Sequence, residues 1–169
     1  EVGGGGVRQR HELRGQGGSG HVYRASPVGG GADVGLKVFK AGQTSDGTPQ
    51  SEMAAGLAAG QHPHLLTPLA VLSAKVYASS PELAMVLPLL PPGLQPLADP
   101  PSLASCTRDV YADGARFSAA AAQRLLAQVR RAVAPLHGQG MLHGAVYAHN
   151  NLLTPDHCHA VLCDLGPNS

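Results

Sequence analysis

Residues 141–166 read Met-Leu-His-Gly-Ala-Val-Tyr-Ala-His-Asn-Asn-Leu-Leu, then Thr-Pro-Asp-His-Cys-His-Ala, then Val-Leu-Cys-Asp-Leu-Gly. Asn150 stands seven positions after His143, and Asp164 follows the apolar pair Val161 and Leu162 by two. Amide and carboxylate oxygens are suitable ligands for a hard cation that carries phosphates. The order of these polar residues is therefore the strongest signal in the chain for both fold and function.

This stretch resembles the catalytic loop and the metal-binding loop of the protein kinase family, H-R-D-x-x-x-x-N-x-L followed by D-F-G. His143, Asn150 and Leu152 match the first motif, and residues 164–166 match the second with one conservative change. The resemblance implies that Asn150 and Asp164 are Mg²⁺ ligands. His143 is interpreted as a structural residue that packs behind Leu165.

The position of the family's catalytic Asp holds Ala145. That Asp accepts the proton of the substrate hydroxyl and orients it, and a methyl group can do neither. Loss of a general base typically lowers a rate by about 10²–10⁴-fold. Asp109, Asp113 and Asp156 are the nearby carboxylates in sequence, and none is predicted to replace the missing one.

Residues 13–24 contain a glycine-rich run that matches the kinase G-x-G-x-x-G-x-V pattern. Glycines let the backbone turn tightly and approach phosphate oxygens. A dinucleotide-binding fold would use the same glycines between a strand and a helix. Here residues 22–25 are typical of a returning strand, which favours the kinase interpretation. The resemblance implies a nucleotide site formed by Gly15, Gly17, Gly18, Ser19, Gly20, Val22, Lys37, Leu87, Leu89 and Leu152.

Residues 34–39 alternate apolar side chains around one lysine, and they resemble the kinase V-A-I-K strand. Lys37 would then contact the α- and β-phosphates. Thr48 and Pro49 form a helix-start signature, and the predicted helix stops near Gly60. Glu52 is the acidic residue of this helix, and the resemblance implies that it pairs with Lys37. The simpler interpretations are a solvated strand lysine and a first-turn glutamate stabilised by the helix dipole.

The remaining pattern predicts two more strands, at 69–72 and 83–87, and a hinge at 88–92. A long helix begins at Ser118, with apolar residues recurring at spacings of three and four. Pro135 is expected to kink this helix or end it early. Its apolar stripe consists of Leu125, Val129, Val133 and Leu136, and its outward face of Gln123, Arg124, Gln128 and Arg130.

The predicted fold class is α+β and protein-kinase-like: a five-stranded antiparallel N-lobe sheet with one helix, plus an incomplete helical C-lobe. Residues 1–12 are expected to be a flexible lead-in, 13–90 the N-lobe, and 91–169 the hinge, a linker and a truncated start of the C-lobe. Glu1 at the start and the end soon after Gly166 indicate a fragment of something longer.

Composition narrows the choice of partners and compartment. The net charge of +1 indicates neither nucleic acid nor an acidic membrane surface as a partner. Three cysteines fit a reducing compartment, so a cytoplasmic location is expected. The longest apolar run, 83–90, is far below the roughly 20 residues of a membrane span. Zinc is a weaker alternative, either at His62 and His64 or at a cluster of His157, Cys158, His159 and Cys163.

The resemblance implies a kinase homologue that binds ATP and Mg²⁺, with phosphotransfer crippled or absent, and that acts on or with a protein partner. One alternative is an active kinase of divergent mechanism that positions its substrate without the Asp. Another is a non-functional remnant.

Overall fold

The computed structural model describes residues 7–16, 19–40, 48–74, 82–106 and 108–165. The chain forms two compact units. The sheet unit comprises Glu1–Gly60 and Thr67–Leu90, and the helical unit comprises Gln61–Leu66 and Pro91–Ser169. Gly17 and Gly18, two of the residues assigned to the nucleotide, lie outside the described residues.

The sheet unit is built on five antiparallel strands in the order β1-β2-β3-β5-β4. The strands are β1 (Val7–Gln16), β2 (Gly20–Pro27), β3 (Val34–Phe39), β4 (Ala70–Ala74) and β5 (Glu82–Pro88). The predicted five-stranded antiparallel sheet is confirmed. β1 begins at Val7, inside the segment predicted as a flexible lead-in, so strand structure starts earlier than the sequence indicated.

One face of this sheet carries a cluster of buried apolar residues. Ala25, Leu36, Val38 and Ala84 form a buried cluster on the three central strands. Side chains alternate between the two faces of a strand, so Leu36 and Val38 share a face while Lys37 points to the other. The alternation that identified β3 in the sequence therefore also separates its core residues from its charged residue.

The helix α1 (Pro49–Ala59) lies in the same unit, and its start is fixed by side-chain hydrogen bonds. The Thr48 hydroxyl accepts from the Ser51 N–H, and the Ser51 hydroxyl accepts from the Thr48 N–H, each at 3.2 Å. This capping box satisfies two of the backbone donors that a helix start leaves open. Gly60 caps the other end, as the sequence predicted.

The helical unit contains α2 (Ala119–Gly138), capped by Ser118. Of the two effects expected of Pro135, a kink or an early end, the early end is wrong, because α2 continues to Gly138. The proline lies in the last turn of the helix, where its missing N–H removes one helical hydrogen bond. The next residue, Leu136, is fully buried, so this turn packs against the core.

The outward position predicted for Gln128 is also wrong. Gln128 is buried, its amide nitrogen donates to the Cys158 carbonyl at 2.9 Å, and its amide oxygen accepts from the Ala160 N–H at 2.7 Å. The side chain thus satisfies two backbone groups of the neighbouring segment, which offsets the cost of burying an amide.

Three short strands complete the helical unit: β6 (Gln95–Pro96), β7 (Asn151–Leu153) and β8 (Ala160–Leu162), paired antiparallel in that order. One turn of 3₁₀ helix, Ala148–Asn150, precedes β7. The whole is an α+β protein, consistent with a kinase-like N-lobe and a partial helical lobe. Among the described residues, no helix has both the length and the apolar character needed to cross a membrane.

Candidate functional site

Lys37 and Glu52 form an ion pair inside the sheet unit. Lys37 lies on β3 between Val22 of β2 and Met85 of β5. Its ammonium nitrogen is 2.5 Å from a carboxylate oxygen of Glu52 on α1. The two side chains are only 10% and 14% exposed, so water screens their attraction weakly. A strand lysine fixed in this way presents its charge at a defined place.

The glycine-rich segment joins β1 to β2. Gly15 pairs with Val22, and the Ser19 carbonyl accepts from the Lys40 N–H at 3.0 Å. A Cβ atom built at Gly20 would lie 2.3 Å from the Val38 carbonyl oxygen, whereas one at Gly15 would meet nothing within 4 Å. Gly20 is therefore required by strand packing as well as by any phosphate contact, and sequence reasoning missed that role.

The apolar residues assigned to the nucleotide fall in both units. Leu87, on β5, is buried and pairs with Gly35, and a Cβ atom at Gly35 would lie 3.4 Å from the Leu87 Cβ. Leu89 follows β5 and is half-buried. Leu152 lies on β7 of the helical unit, opposite Val161.

In the helical unit, the loop around residue 145 is closed by its own backbone. The Asn150 amide nitrogen donates to the Ala145 carbonyl at 2.9 Å, and the His143 Nδ1 accepts from the Ala145 N–H at 3.3 Å. The amide of Asn151 donates to the Tyr147 carbonyl at 2.7 Å. Both backbone groups of Ala145 are thus engaged, so the loop is held without any side-chain carboxylate at that position.

The two predicted Mg²⁺ ligands lie on neighbouring loops. The Cys163 N–H donates to the Asn150 carbonyl at 2.8 Å, and Asp164 follows directly. Asp164 is exposed and has a φ of 60°, a left-handed conformation that Asp tolerates better than most residues, while Leu165 beside it is buried. The amide nitrogen of Asn150 is used within its loop, so its oxygen is the end suited to a hard cation.

His143 is 2% exposed, and its Nε2 has no hydrogen-bond partner among the described residues. Burial lowers the pKa of this imidazole to about 4, although the nearby charge of Asp164 acts in the opposite direction. The ring is therefore neutral at physiological pH. A neutral buried ring is a packing element of the loop and not a charged contact.

Asp109 lies outside this loop and bonds two of its residues, a role that sequence reasoning missed. Its carboxylate accepts from the Ala148 N–H at 2.7 Å and lies 2.6 Å from the His149 Nδ1. Burial alone would raise the pKa of the Asp109 carboxyl, but the hydrogen bonds from His149 and Ala148 outweigh that effect and hold the pKa below its usual value. The sequence offered only the run at 105–111, which carries no mechanism by itself.

The structure gives the zinc alternative no support. Across the ranges that the structure describes, no group of three or more His, Cys, Asp or Glu side chains could hold a metal ion. His62 and His64 are bound instead to protein groups: the His62 Nδ1 accepts from the His64 N–H, and the His64 Nδ1 bonds the Ala160 carbonyl. Asn150 and Asp164 are not such a group, because they are two residues and one of them is an amide.

One protein-family model matches this chain: the lipopolysaccharide kinase (Kdo/WaaP) family, over residues 102–166. The matched segment contains Asp109, the loop at 143–150 and Asp164. A search of curated proteins finds no significant match. Over these residues the chain is therefore similar to a kinase-like family within the protein-kinase-like superfamily. That family is not a family of protein kinases specifically, so the narrower resemblance to protein kinases stays a proposal.

Proposed function

We propose that this chain is a kinase-like domain that binds Mg-ATP and whose phosphotransfer is impaired. In this proposal Lys37 and the glycine-rich turn contact the phosphates, Glu52 holds Lys37, and Asn150 and Asp164 ligate Mg²⁺. The observation that carries it is the buried Lys37–Glu52 ion pair, which is the arrangement that kinase chemistry requires of a phosphate-binding lysine.

The chemistry of Asn150 and Asp164 supports the cation. Both offer oxygen donors, and the backbone bond between Cys163 and Asn150 places them on adjacent loops. Bound Mg²⁺ would neutralise charge on the β- and γ-phosphates. The oxygen donors of Asn150 and Asp164 therefore fit Mg²⁺.

Impaired transfer follows from Ala145. Its backbone groups are both engaged within the loop, and its side chain can neither accept a proton nor orient a hydroxyl. The Asp109 carboxylate is already bonded to Ala148 and His149, so it is not placed as a replacement base. We accordingly propose a nucleotide-binding, regulatory role toward a protein partner.

Binding is tested by isothermal titration with ATP in the presence of Mg²⁺, for the wild type and for Lys37→Met. Arg24→Met is the matched control, because Arg24 lies on the adjacent strand and pairs with Asp33 at the surface. Saturable binding by the wild type and the control, with loss in Lys37→Met, is expected. Equal binding by all three proteins, or none by the wild type, would discard the nucleotide proposal.

Transfer is tested by comparing the wild type with Ala145→Asp on a generic hydroxyl substrate with labelled ATP. Restoring the general base is expected to raise the rate by about 10²–10⁴-fold. Equal and substantial activity of both proteins would instead favour an active kinase of divergent mechanism.

A further inference from the structure

Asp109 contacts the 145–150 loop from outside. Its carboxylate bonds two residues of this loop, Ala148 and His149. Its two oxygens are used separately: one accepts from the Ala148 backbone and the other is paired with the His149 ring. A carboxylate that bonds two consecutive residues fixes both the position and the direction of the turn they form.

Asp109 is itself held in place. The next residue, Val110, exchanges two backbone hydrogen bonds with Asp99, of 2.8 and 3.0 Å. The chain just before Asp99 is tied to the same loop, because the Leu97 N–H donates to the Asn151 carbonyl at 2.8 Å. Residues 97–99 and 108–110 therefore form a brace that is bonded to Asn151 at one end and to Ala148 and His149 at the other.

This brace bonds the residues on both sides of Asn150: Ala148 and His149 before it, and Asn151 after it. Ala148, His149 and Asn150 form the 3₁₀ turn, and Asn150 is 5% exposed at its end. Since Ala145 contributes only a methyl group, the side-chain carboxylate that engages this loop comes from Asp109. The turn that carries Asn150 is thus bonded by a residue 41 positions before Asn150 in the chain.

We propose that Asp109 is a positioning residue for the metal ligand Asn150: by holding Ala148 and His149 it sets the Asn150 amide for Mg²⁺. This inference rests on the proposed Mg-ATP function. It assigns to Asp109 no contact with the nucleotide and no step of proton transfer. Its consequence is specific, because the loss of Asp109 should weaken the contribution of the metal and leave the part of ATP affinity that needs no metal unchanged.

The test measures ATP affinity with excess Mg²⁺ and again with EDTA, and the ratio of the two reports the metal's contribution. The proteins are the wild type, Asp109→Ala, Asp109→Asn and the control Asp113→Ala. Asp113 is an exposed acidic residue four positions after Asp109. In Asp109→Ala the ratio is expected to fall about tenfold, as residues that orient a ligand typically affect metal affinity, with affinity in EDTA unchanged. Asp113→Ala should match the wild type.

Asp109→Asn separates positioning from folding. Asparagine retains an oxygen for the Ala148 N–H. The ratio of ATP affinities with Mg²⁺ and with EDTA should therefore lie between those of the wild type and Asp109→Ala, and it can be measured even if Asp109→Ala does not fold. A ratio in both Asp109 variants equal to that of Asp113→Ala would overturn the inference and leave the ATP proposal standing. Equal losses with Mg²⁺ and with EDTA would also overturn it, since that indicates general damage. A wild type that binds no Mg-ATP would remove both proposals together.

Discussion

Two side-chain pairs, one in each unit, are held in different ways. Lys37 and Glu52 are fixed by regular elements, a central strand and a capped helix. Asp109 and His149 lie in loops, and their contact depends on side chains that bond backbone groups. The sheet unit therefore relies on its strand ladder and one buried ion pair. The helical unit depends on several polar side chains, including Gln128, that bond backbone groups.

The largest effect is expected for the ion pair. Lys37→Met leaves the Glu52 carboxylate poorly exposed and without its lysine, which should cost about 3–5 kcal/mol of unfolding free energy. The double variant Lys37→Met/Glu52→Leu replaces both charges with apolar groups and should recover most of that loss, while ATP binding stays absent in both. Urea unfolding measures the free energy of unfolding, and titration calorimetry measures ATP binding. If the double variant is as unstable as the single one, the loss in Lys37→Met does not come from a carboxylate left without its lysine.

For the helical unit, the matching test is Gln128→Ala. The substitution leaves the buried Ala160 N–H without this partner, at about 1–3 kcal/mol, whereas Cys158 is an exposed residue whose carbonyl can bond water instead. Gln123→Ala on the exposed side of α2 is the control and should stay within about 0.5 kcal/mol of the wild type. Equal stability of the two variants in chemical denaturation would show that side-chain bonding to backbone does not support this unit.

These two tests also mark where the sequence was sufficient and where it was not. β3 follows from the alternation around Lys37 and α1 from its cap residues, whereas most of β1 lies in the stretch predicted as a lead-in. Gln128 was misplaced because polarity patterns put an amide on the solvent side unless its partners are known, and those partners lie 30 and 32 positions away. Asp109 was missed for the same reason: its partners are 39 and 40 positions away, in a segment without periodicity.

A third test concerns the helical unit and measures how its buried His143 ring makes the free energy of unfolding depend on pH. Burial lowers the pKa of this ring from 6.5 to about 4 in the folded chain, so the unfolded chain binds more protons between those values. Stability contributed by the neutral ring is thus fully present above pH 6.5 and is lost as the pH falls toward 4. Between pH 7.5 and pH 5 the loss should be about 2 kcal/mol.

His143→Leu should remove that part of the pH dependence, because leucine does not titrate. The measurement is the difference in unfolding free energy between pH 7.5 and pH 5, for each protein. Other groups titrate in both proteins and cancel in the comparison. The same pH dependence in His143→Leu would mean that the ring is not buried as a neutral group.

The smallest effect is expected at the start of α1, where Thr48→Ala removes the hydroxyl that accepts from the Ser51 N–H. Loss of an N-cap side chain typically costs about 1 kcal/mol. Gly is a better cap than Ala, so Thr48→Gly should cost less than Thr48→Ala, which distinguishes a capping effect from a packing effect. Glu52 lies in the first turn of this helix, so fraying there should also weaken ATP binding slightly if Glu52 holds Lys37 for the phosphates. A loss of stability with unchanged ATP affinity would show that the helix start and the lysine are independent.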